Sequence, residues 1–445
     1  MLKSDIILEG MHKLHPIAID LSLDRLIELL AKLGNPQANL PAIIHIAGTN
    51  GKGSTLAYMK YILQNHGKKV HSYTSPHMVK FTERISLAQQ TLDATNIAHS
   101  QDIEEQAFVD ILEEVLAIND GEPITFFEMT TAVAFVAFSR VKADYLLLEV
   151  GLGGRFDATN VIDEVALSII TPVSIDHTEY LGNKIAKIAF EKAGIIKDNC
   201  PLIVGPQTDD AFDVIEKIAL EKHAKMISYG VEFQAYEEHN RLIYQDQTGL
   251  LDLPMPALIG AHQVQNASIA IAACEYLLGD TFKEAFTAIA LKQVKWPARF
   301  ERLNSNLLNT LIPTGAHLWL DGGHNAAGGI ALAQQLLKLN QAHSMPLYLI
   351  VGMLKSKEAD AFLKPFIALN PKLFCLDIEG REDSFDLIDL TNIATNIGLE
   401  AAPAHNIMDA LKQIKLDCKT PPRILICGSL YQAGNILRLI EDANA

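Results

Sequence analysis

Residues 41–55 read PAIIHIAGTNGKGST, and this stretch decides the fold. Pro41–Gly48 is a short apolar run, rich in β-branched Ile and ending on Gly, which is the pattern of a buried strand. Ser54–Asn65 then reads as a helix with Leu56, Met59, Ile62 and Leu63 on one side. Between them lies Gly48-Thr49-Asn50-Gly51-Lys52-Gly53-Ser54-Thr55. A glycine-rich turn from strand to helix is what a phosphate loop requires. Successive backbone N–H groups form an anion nest, and the helix N-terminus adds partial positive charge. Gly51 and Gly53 admit phosphate oxygens close to the backbone, Lys52 reaches the terminal phosphates, and Ser54 serves a metal or a phosphate. The general GxxxxGK[ST] pattern is met imperfectly. Ile46 stands at its first Gly and Gly53 in its Ser/Thr place, so an ordinary Gly-rich turn is the plainer alternative.

Working outward, further strands are expected at Lys69–Thr74, Asp144–Val150, Val165–Thr171 and Pro201–Gly205. Helices are expected at Phe127–Arg140, Lys184–Gly194 and Asp210–His223. Strands alternating with helices imply a parallel sheet covered on both faces. Val231–Gly260 breaks the rhythm with short β-like pieces, read as a small antiparallel appendage, before helices resume at His262–Leu278 and Thr281–Leu291. A boundary falls near Lys295-Trp296-Pro297-Ala298-Arg299. Beyond it, strands at His317–Asp321, Pro346–Gly352, Lys372–Asp377 and Arg423–Gly428 alternate with helices, among them Ala326–Leu339 and Lys357–Leu369. The expected fold class is α/β: a P-loop-type parallel-sheet ATPase domain over 1–296 with the antiparallel appendage, and a smaller doubly wound, Rossmann-like α/β domain over 297–445.

The 445 residues are 49% apolar and 20% charged, a composition that excludes a disordered chain. With 37 Lys and Arg against 53 Asp and Glu, the formal charge of −16 repels phosphate backbones and anionic membranes, so neither nucleic acid nor a membrane is an expected partner. Five cysteines without a CxxC pair form neither a disulfide framework nor a zinc site and fit a reducing compartment. Asp5 and Glu9 stand where a signal peptide needs an apolar core, and no run of about 18 apolar residues occurs. A soluble cytoplasmic protein, acting as a monomer, is expected.

Other constellations sit where strands end. Leu146–Asn160, LLLEVGLGGRFDATN, carries Glu149 at the C-terminal end of a buried strand, well placed to hold Mg²⁺ beside a phosphate loop. Its glycines fail the dinucleotide pattern, because Phe156 occupies the sixth position. Asp176-His177 follows the apolar run VALSII, and His177 is a candidate metal ligand or phosphate contact, or simply a capping residue. Ser75 precedes Pro76, which pushes it to extended geometry and can aim its hydroxyl into the site. Farther on, Asp321 follows a strand and precedes a helix, suited to hold a ribose hydroxyl or to organise a partner. Arg299 is a candidate phosphate clamp. One Lys in a phosphate loop, acidic and imidazole groups at strand ends, and an Arg and an Asp from a second domain make a kit for phosphoryl transfer.

Taken in order, HIAGTNGKGST, YTSPHMVKFTERI, ITFFEMTTAVAF, LLLEVGLGGRFDATN, SIDHTEYLG, AFEKAGIIK, GAHQVQNASIA, WPARFE and DGGHN resemble the folate branch of the Mur ligase family. The resemblance implies an ATP- and Mg²⁺-dependent amide ligase that adds L-glutamate to dihydropteroate and to reduced folates through an acyl phosphate. Two alternatives remain beside it: a ligase that only extends folate polyglutamates, and a non-ligating, ATP-hydrolysing regulatory module. The resemblance matches Ser75, Glu149 and His177 to magnesium ligands, and Thr49, Asn50, Gly51, Lys52, Gly53 and Ser54 to the phosphate loop. Asn266, Arg299 and Asp321 match nucleotide contacts. Lys192 matches a lysine that the family carries as a carbamate. Thr125, Phe126, Phe127 and Glu128, with Phe156, Asp157 and Ala158, match the pteroate pocket, and His15 is a weaker match. Gly323 replaces a common Ala and Ala298 a common Gly; Ala298 is strained if the chain needs positive φ there.

Overall fold

The computed structural model describes residues 3–11, 22–91 and 97–444. His15 lies outside the described residues. The chain forms two compact units.

The first unit is built, among the described residues, on an eight-stranded sheet. Its strands are β1 (Ala42–Ala47), β2 (Val70–Tyr73), β3 (Ile85–Ala88), β4 (Ser100–Asp102), β5 (Tyr145–Glu149), β6 (Leu167–Ile170), β7 (Leu202–Val204) and β8 (Met226–Ser228). They lie in the order β4-β3-β2-β5-β1-β6-β7-β8. From β2 to β8 every pairing is parallel, and β3 and β4 extend one edge antiparallel. The central strands are continuous apolar runs, as strands covered on both faces must be. On one face the helices Asp24–Lys32, Glu105–Asn119 and Phe126–Arg140 bury Leu26, Leu29, Leu30, Phe108, Leu112, Phe135 and Phe138. On β1, β2 and β5 packs the helix Lys52–Asn65. The appendage is a three-stranded antiparallel sheet of β9 (Phe233–Glu238), β10 (Arg241–Asp246) and β11 (Leu250–Pro254).

The sequence reading misses β3, β4 and β8 and the helices Asp24–Lys32 and Glu105–Asn119. Strand β4 reads SQD, with no apolar alternation to mark it.

The second unit takes up the chain at Lys295 and also includes two short segments, Ile175–Gly182 and Leu258–His262. His177 therefore belongs to the second unit, which a single linear boundary does not convey. Its sheet comprises β12 (Glu301–Arg302), β13 (His317–Leu320), β14 (Leu347–Val351), β15 (Lys372–Cys375), β16 (Glu400–Pro403) and β17 (Arg423–Cys427), ordered β12-β13-β17-β14-β15-β16. All pairings are parallel except that of β12. Phe300 and Trp319 stack at 4.7 Å in its core beside Phe362 and Phe366. The helix expected over Lys357–Leu369 is shorter, Ala359–Leu363, and continues as a 3₁₀ turn over Lys364–Leu369. Pro365 removes an amide donor there. Among the described residues no helix is long and apolar enough to cross a membrane.

Candidate active site

Strands β2, β5 and β1 lie side by side and parallel, so their C-terminal ends form one edge. Opposite Glu149 in the register stands Ile46, two residues before Gly48. Ligands of parallel sheets gather outside this edge.

The loop after β1 is pinned from behind. Thr49 N and Asn50 N both donate to Pro172 O, at 3.0 and 3.2 Å. The Thr49 hydroxyl donates to Ser174 O and accepts from Ser174 N, each at 3.0 Å, and Asn50 Nδ2 donates to Ser174 Oγ. These first two amides hold the loop to the chain just beyond β6. Gly51, at φ +89°, caps the helix, and the amides of Lys52, Gly53 and Ser54 form its first turn. Helix geometry gives these amides no intrahelical acceptor. They are the donors an anion would meet. Gly48, at φ +149°, lies against the Thr171 side chain, where a Cβ would collide.

Lys52 Nζ folds back onto the loop carbonyls of Gly48 (3.0 Å) and Thr49 (3.5 Å). Lys192, buried in the last turn of the helix Ile185–Ala193, sends its Nζ to the same Gly48 O at 2.9 Å. Ser54 is buried and accepts from Gln263 Nε2 at 3.4 Å. Gln263 Oε1 in turn accepts from Asn266 Nδ2, and Asn266 lies against Gly51 so closely that a Cβ would strike it. The sequence reading names Asn266 but misses Gln263, whose role depends on a helix more than two hundred positions away.

Glu149 is buried and its Oε2 accepts from Ser75 N at 3.4 Å. A carboxylate and a hydroxyl at neighbouring strand ends are hard oxygen donors, which suit Mg²⁺. Among the described residues no group of three or more His, Cys, Asp or Glu side chains gathers in ligand geometry.

In the second unit His177 has φ 51° and precedes the short helix Thr178–Leu181. Its neighbour Asp176 pairs with Lys357, lies 3.6 Å from His324 Nε2 and accepts from Asn325 Nδ2 at 3.1 Å. Burial opposes its charge, but the His324 contact and the Lys357 charge outweigh it and hold Asp176 well below the usual carboxylate range.

Asp321, buried after β13, accepts from Phe300 N (2.7 Å) and Gly323 N (2.6 Å). These bonds tie Asp321 to the segment that carries Arg299. Ala298 and Phe300, on either side of Arg299, both have positive φ, 54° and 47°. Ala298 thus carries the strain foreseen for a residue where a Gly would be relaxed. Half-buried His262 lies near Arg299 and Asp321 and went unnamed in the sequence reading; burial lowers its basicity.

Thr125 and Glu128 form a capping box on the helix Phe126–Arg140: Thr125 N donates to Glu128 Oε2, and Glu128 N to Thr125 Oγ1. Glu128 also receives Arg25 Nε and Nη2, at 3.2 and 2.9 Å. Both are buried, so their visible work is structural, and Arg25 is a partner that no local signal reveals. Phe126 packs edge-on against Phe81. Phe127 is half-buried, stacks on Tyr73 at 6.2 Å and lies against Gly151, where a Cβ would hit its ring. Phe156 is exposed, with the Arg155 guanidinium 4.3 Å above it, while Ala158 is buried in the core. Asp157 is buried. Its Oδ2 accepts from Leu152 N (2.8 Å) and its Oδ1 from Thr159 N (3.0 Å) and the Thr159 hydroxyl (2.5 Å). Burial nevertheless pushes its pKa up.

The loop Gly151–Asn160 and the helix Ile185–Ala193 are stitched together. Arg155 N donates to Glu191 O, and Asn160 Nδ2 spans Arg155 O and Gly194 O. Gly154 packs on the carbonyls of Glu191 and Lys192.

Residues 46–274 match the Mur ligase middle domain, and residues 305–439 the dihydrofolate synthetase C-terminal domain. A Bacillus subtilis protein, dihydrofolate synthase/folylpolyglutamate synthase, is 33% identical over 94% of this chain and 95% of its own length. A solved structure described as E. coli FolC in complex with DHPP and ADP superposes with a TM-score of 0.85 at 27% identity, covering 99% of this chain and 98% of that one. Another, a bifunctional folylpolyglutamate synthase/dihydrofolate synthase with Mn, AMPPNP and L-glutamate bound, gives 0.82 at 26% identity, with 98% of each chain covered. With its middle and C-terminal domains both matched, and relatives aligned almost from end to end, the chain belongs to the Mur ligase family, in its dihydrofolate synthase/folylpolyglutamate synthase branch.

Proposed function

We propose that this chain is an ATP-dependent carboxylate–amine ligase that joins L-glutamate to dihydropteroate, giving dihydrofolate, and to folate glutamates, giving polyglutamates. One observation carries the reading: the first-turn amides of Lys52–Ser54 and the Lys52 side chain lie on the same strand edge as Glu149 and Ser75. That edge unites an anion site with hard oxygen donors. Relatives that bind ADP, Mn and L-glutamate support it.

A carboxylate acylates amines poorly until one of its oxygens becomes part of a leaving group. The substrate carboxylate attacks the γ-phosphorus of ATP, the bond to the bridging oxygen breaks, and ADP leaves. The amino group of glutamate then attacks the acyl carbon and phosphate departs. Mg²⁺, when bound, would supply positive charge against the phosphates. Glu149 and Ser75 of this chain would hold it, and His177 is the further ligand that the family resemblance names. The amides of Gly51–Ser54 and Lys52 receive the phosphates, Thr49 and Asn50 hold the loop in shape, and Asn266, Arg299 and Asp321 serve the nucleotide. Lys192, carried as a carbamate, supplies a negative oxygen donor. Phe127 and Phe156 offer their ring faces to the pterin, while Thr125, Phe126, Glu128, Asp157 and Ala158 form the frame of that pocket.

We infer a monomeric enzyme of the cytoplasm; the formal charge of −16 speaks against nucleic-acid or membrane partners, and the free thiols, four of five buried, suit a reducing compartment. The test is direct. Purified protein with ATP, Mg²⁺ and L-glutamate is offered dihydropteroate or a reduced folate monoglutamate, and the products are weighed by mass spectrometry. Addition of one glutamate to each substrate is expected. Extension of the folate alone would reduce the function to polyglutamate synthesis, and ADP without any amide would refute ligation.

A further inference from the structure

A buried chain of hydrogen bonds runs from the central strand to the loop read as the pteroate pocket. His45 lies on β1, fully buried between β5 and β6. Its Nε2 is 2.8 Å from Thr159 Oγ1, and that hydroxyl is 2.5 Å from Asp157 Oδ1. Backbone N–H groups address both Asp157 oxygens, Leu152 N on Oδ2 and Thr159 N on Oδ1, which marks the group as a carboxylate that only accepts.

The proton positions follow. Thr159 has a single hydroxyl proton and gives it to Asp157. Its oxygen must then accept from His45, so Nε2 carries the imidazole proton and Nδ1 is bare. The one His45 nitrogen with no hydrogen-bond partner is Nδ1. Burial, with the Lys197 charge adding to it, drives the pKa of His45 down to about 3, so the ring stays neutral. A bare buried nitrogen costs free energy. Fixing the direction of the Thr159 hydroxyl gives that cost a purpose.

We propose that His45 is a positioning residue for Asp157: as the Nε2–H tautomer it orients the Thr159 hydroxyl onto the Asp157 carboxylate and so fixes the Gly151–Ala158 loop. This rests on reading Phe127, Phe156 and their neighbours as the pteroate pocket. Asp157 anchors Leu152 N, and the adjoining Gly151 supports the Phe127 ring. A drift of the carboxylate therefore passes to the faces that would hold the pterin.

The test combines NMR with kinetics on the full chain. Nitrogen NMR of histidine-labelled protein should show His45 Nδ1 unprotonated at neutral pH; a protonated Nδ1 overturns the proposal. His45→Leu and Thr159→Val should each raise the KM for dihydropteroate and for folate about tenfold, the worth of one buried hydrogen bond, and leave the ATP KM within about twofold. The double variant should be no worse than either single one, because both cut the same chain. His45→Gln, which keeps a donor near the Nε2 position, should recover most of the loss and preserves a readout if His45→Leu folds poorly. Losses that multiply, or an equal rise in ATP KM, overturn the relay. A raised pteroate KM in Phe156→Ala with none in His45→Leu or Thr159→Val overturns the relay alone. Unchanged KM in Phe156→Ala as well places the failure in the pocket reading.

Discussion

Lys52 and Lys192, from two different helices, end on one acceptor: the Gly48 carbonyl takes Lys52 Nζ at 3.0 Å and Lys192 Nζ at 2.9 Å. Two side chains that would both carry positive charge thus crowd a single oxygen at the mouth of the phosphate loop. Were Lys192 a carbamate, as proposed, one of the two positive charges at that carbonyl would be gone. Lys192→Ala should lose ligation and regain part of it with added short carboxylic acids, which supply the missing negative oxygen. Intact mass of the active enzyme under bicarbonate checks this; an unmodified amine at full activity would refute the carbamate.

Glu149 is buried at the strand edge beside the loop, and Ser75 N already leans on it. Glu149→Ala should cut turnover by about a hundredfold or more, since a charged metal ligand is worth several kcal/mol of charge stabilisation. Glu149→Gln should recover little at ordinary magnesium and more as magnesium or manganese is raised. A metal titration of kcat, with a melting curve to confirm folding, decides it. Near-normal turnover at ordinary magnesium would remove Glu149 from the metal site.

Asp157 presents both oxygens to its own loop, to Leu152 N, Thr159 N and the Thr159 hydroxyl. Asp157→Ala strands buried donors at about 1–3 kcal/mol each. The expected result is a lowered melting midpoint and losses in dihydrofolate synthesis and polyglutamate extension of similar size. Parallel assays of both activities beside a thermal melt check it. A selective loss of the first activity with an unchanged melt would instead assign the carboxylate to the substrate.

What the sequence made legible was local. The phosphate loop could be read because strand, glycines, lysine and helix start are contiguous, and Glu149 because its strand is so apolar. The relations that complete the site are not contiguous. Pro172 takes the Thr49 and Asn50 amides, Gln263 holds Ser54, and Arg25 grips Glu128 across a hundred positions. None leaves a spacing pattern, since each depends on which elements the sheet order brings together. Ala298 lies between these cases. Its strain could be stated from sequence as a condition, and only the backbone, at φ 54°, met that condition. Thr125 and Glu128 show the opposite hazard: the S/T-x-x-E spacing of a capping box is itself local, and it accounts for both residues without a ligand.

Glu275, on the helix Ala261–Leu278, faces the appendage. Burial pushes its carboxyl up to about 7, with Tyr244 of β10 hydrogen-bonded to it and Asp246 repelling its charge. Its Oε2 has no partner, and its neighbour Cys274 is a buried thiol. A folded pKa raised above the unfolded value of 4.5 means that the native state holds the proton longer. The stability linked to that proton is whole below pH 4.5 and is lost as the pH climbs toward and past 7. The most that the ionisation can cost is about 3 kcal/mol. Glu275→Gln keeps the shape of the neutral acid and cannot ionise. The melting midpoints of variant and parent should therefore lie close together at about pH 5 and separate with rising pH, the variant standing several degrees higher at about pH 8. A pH series of thermal melts on the two proteins reads this directly. Parallel curves across the series would mean that Glu275 already ionises in its ordinary range and that Tyr244 hydrogen-bonds a carboxylate.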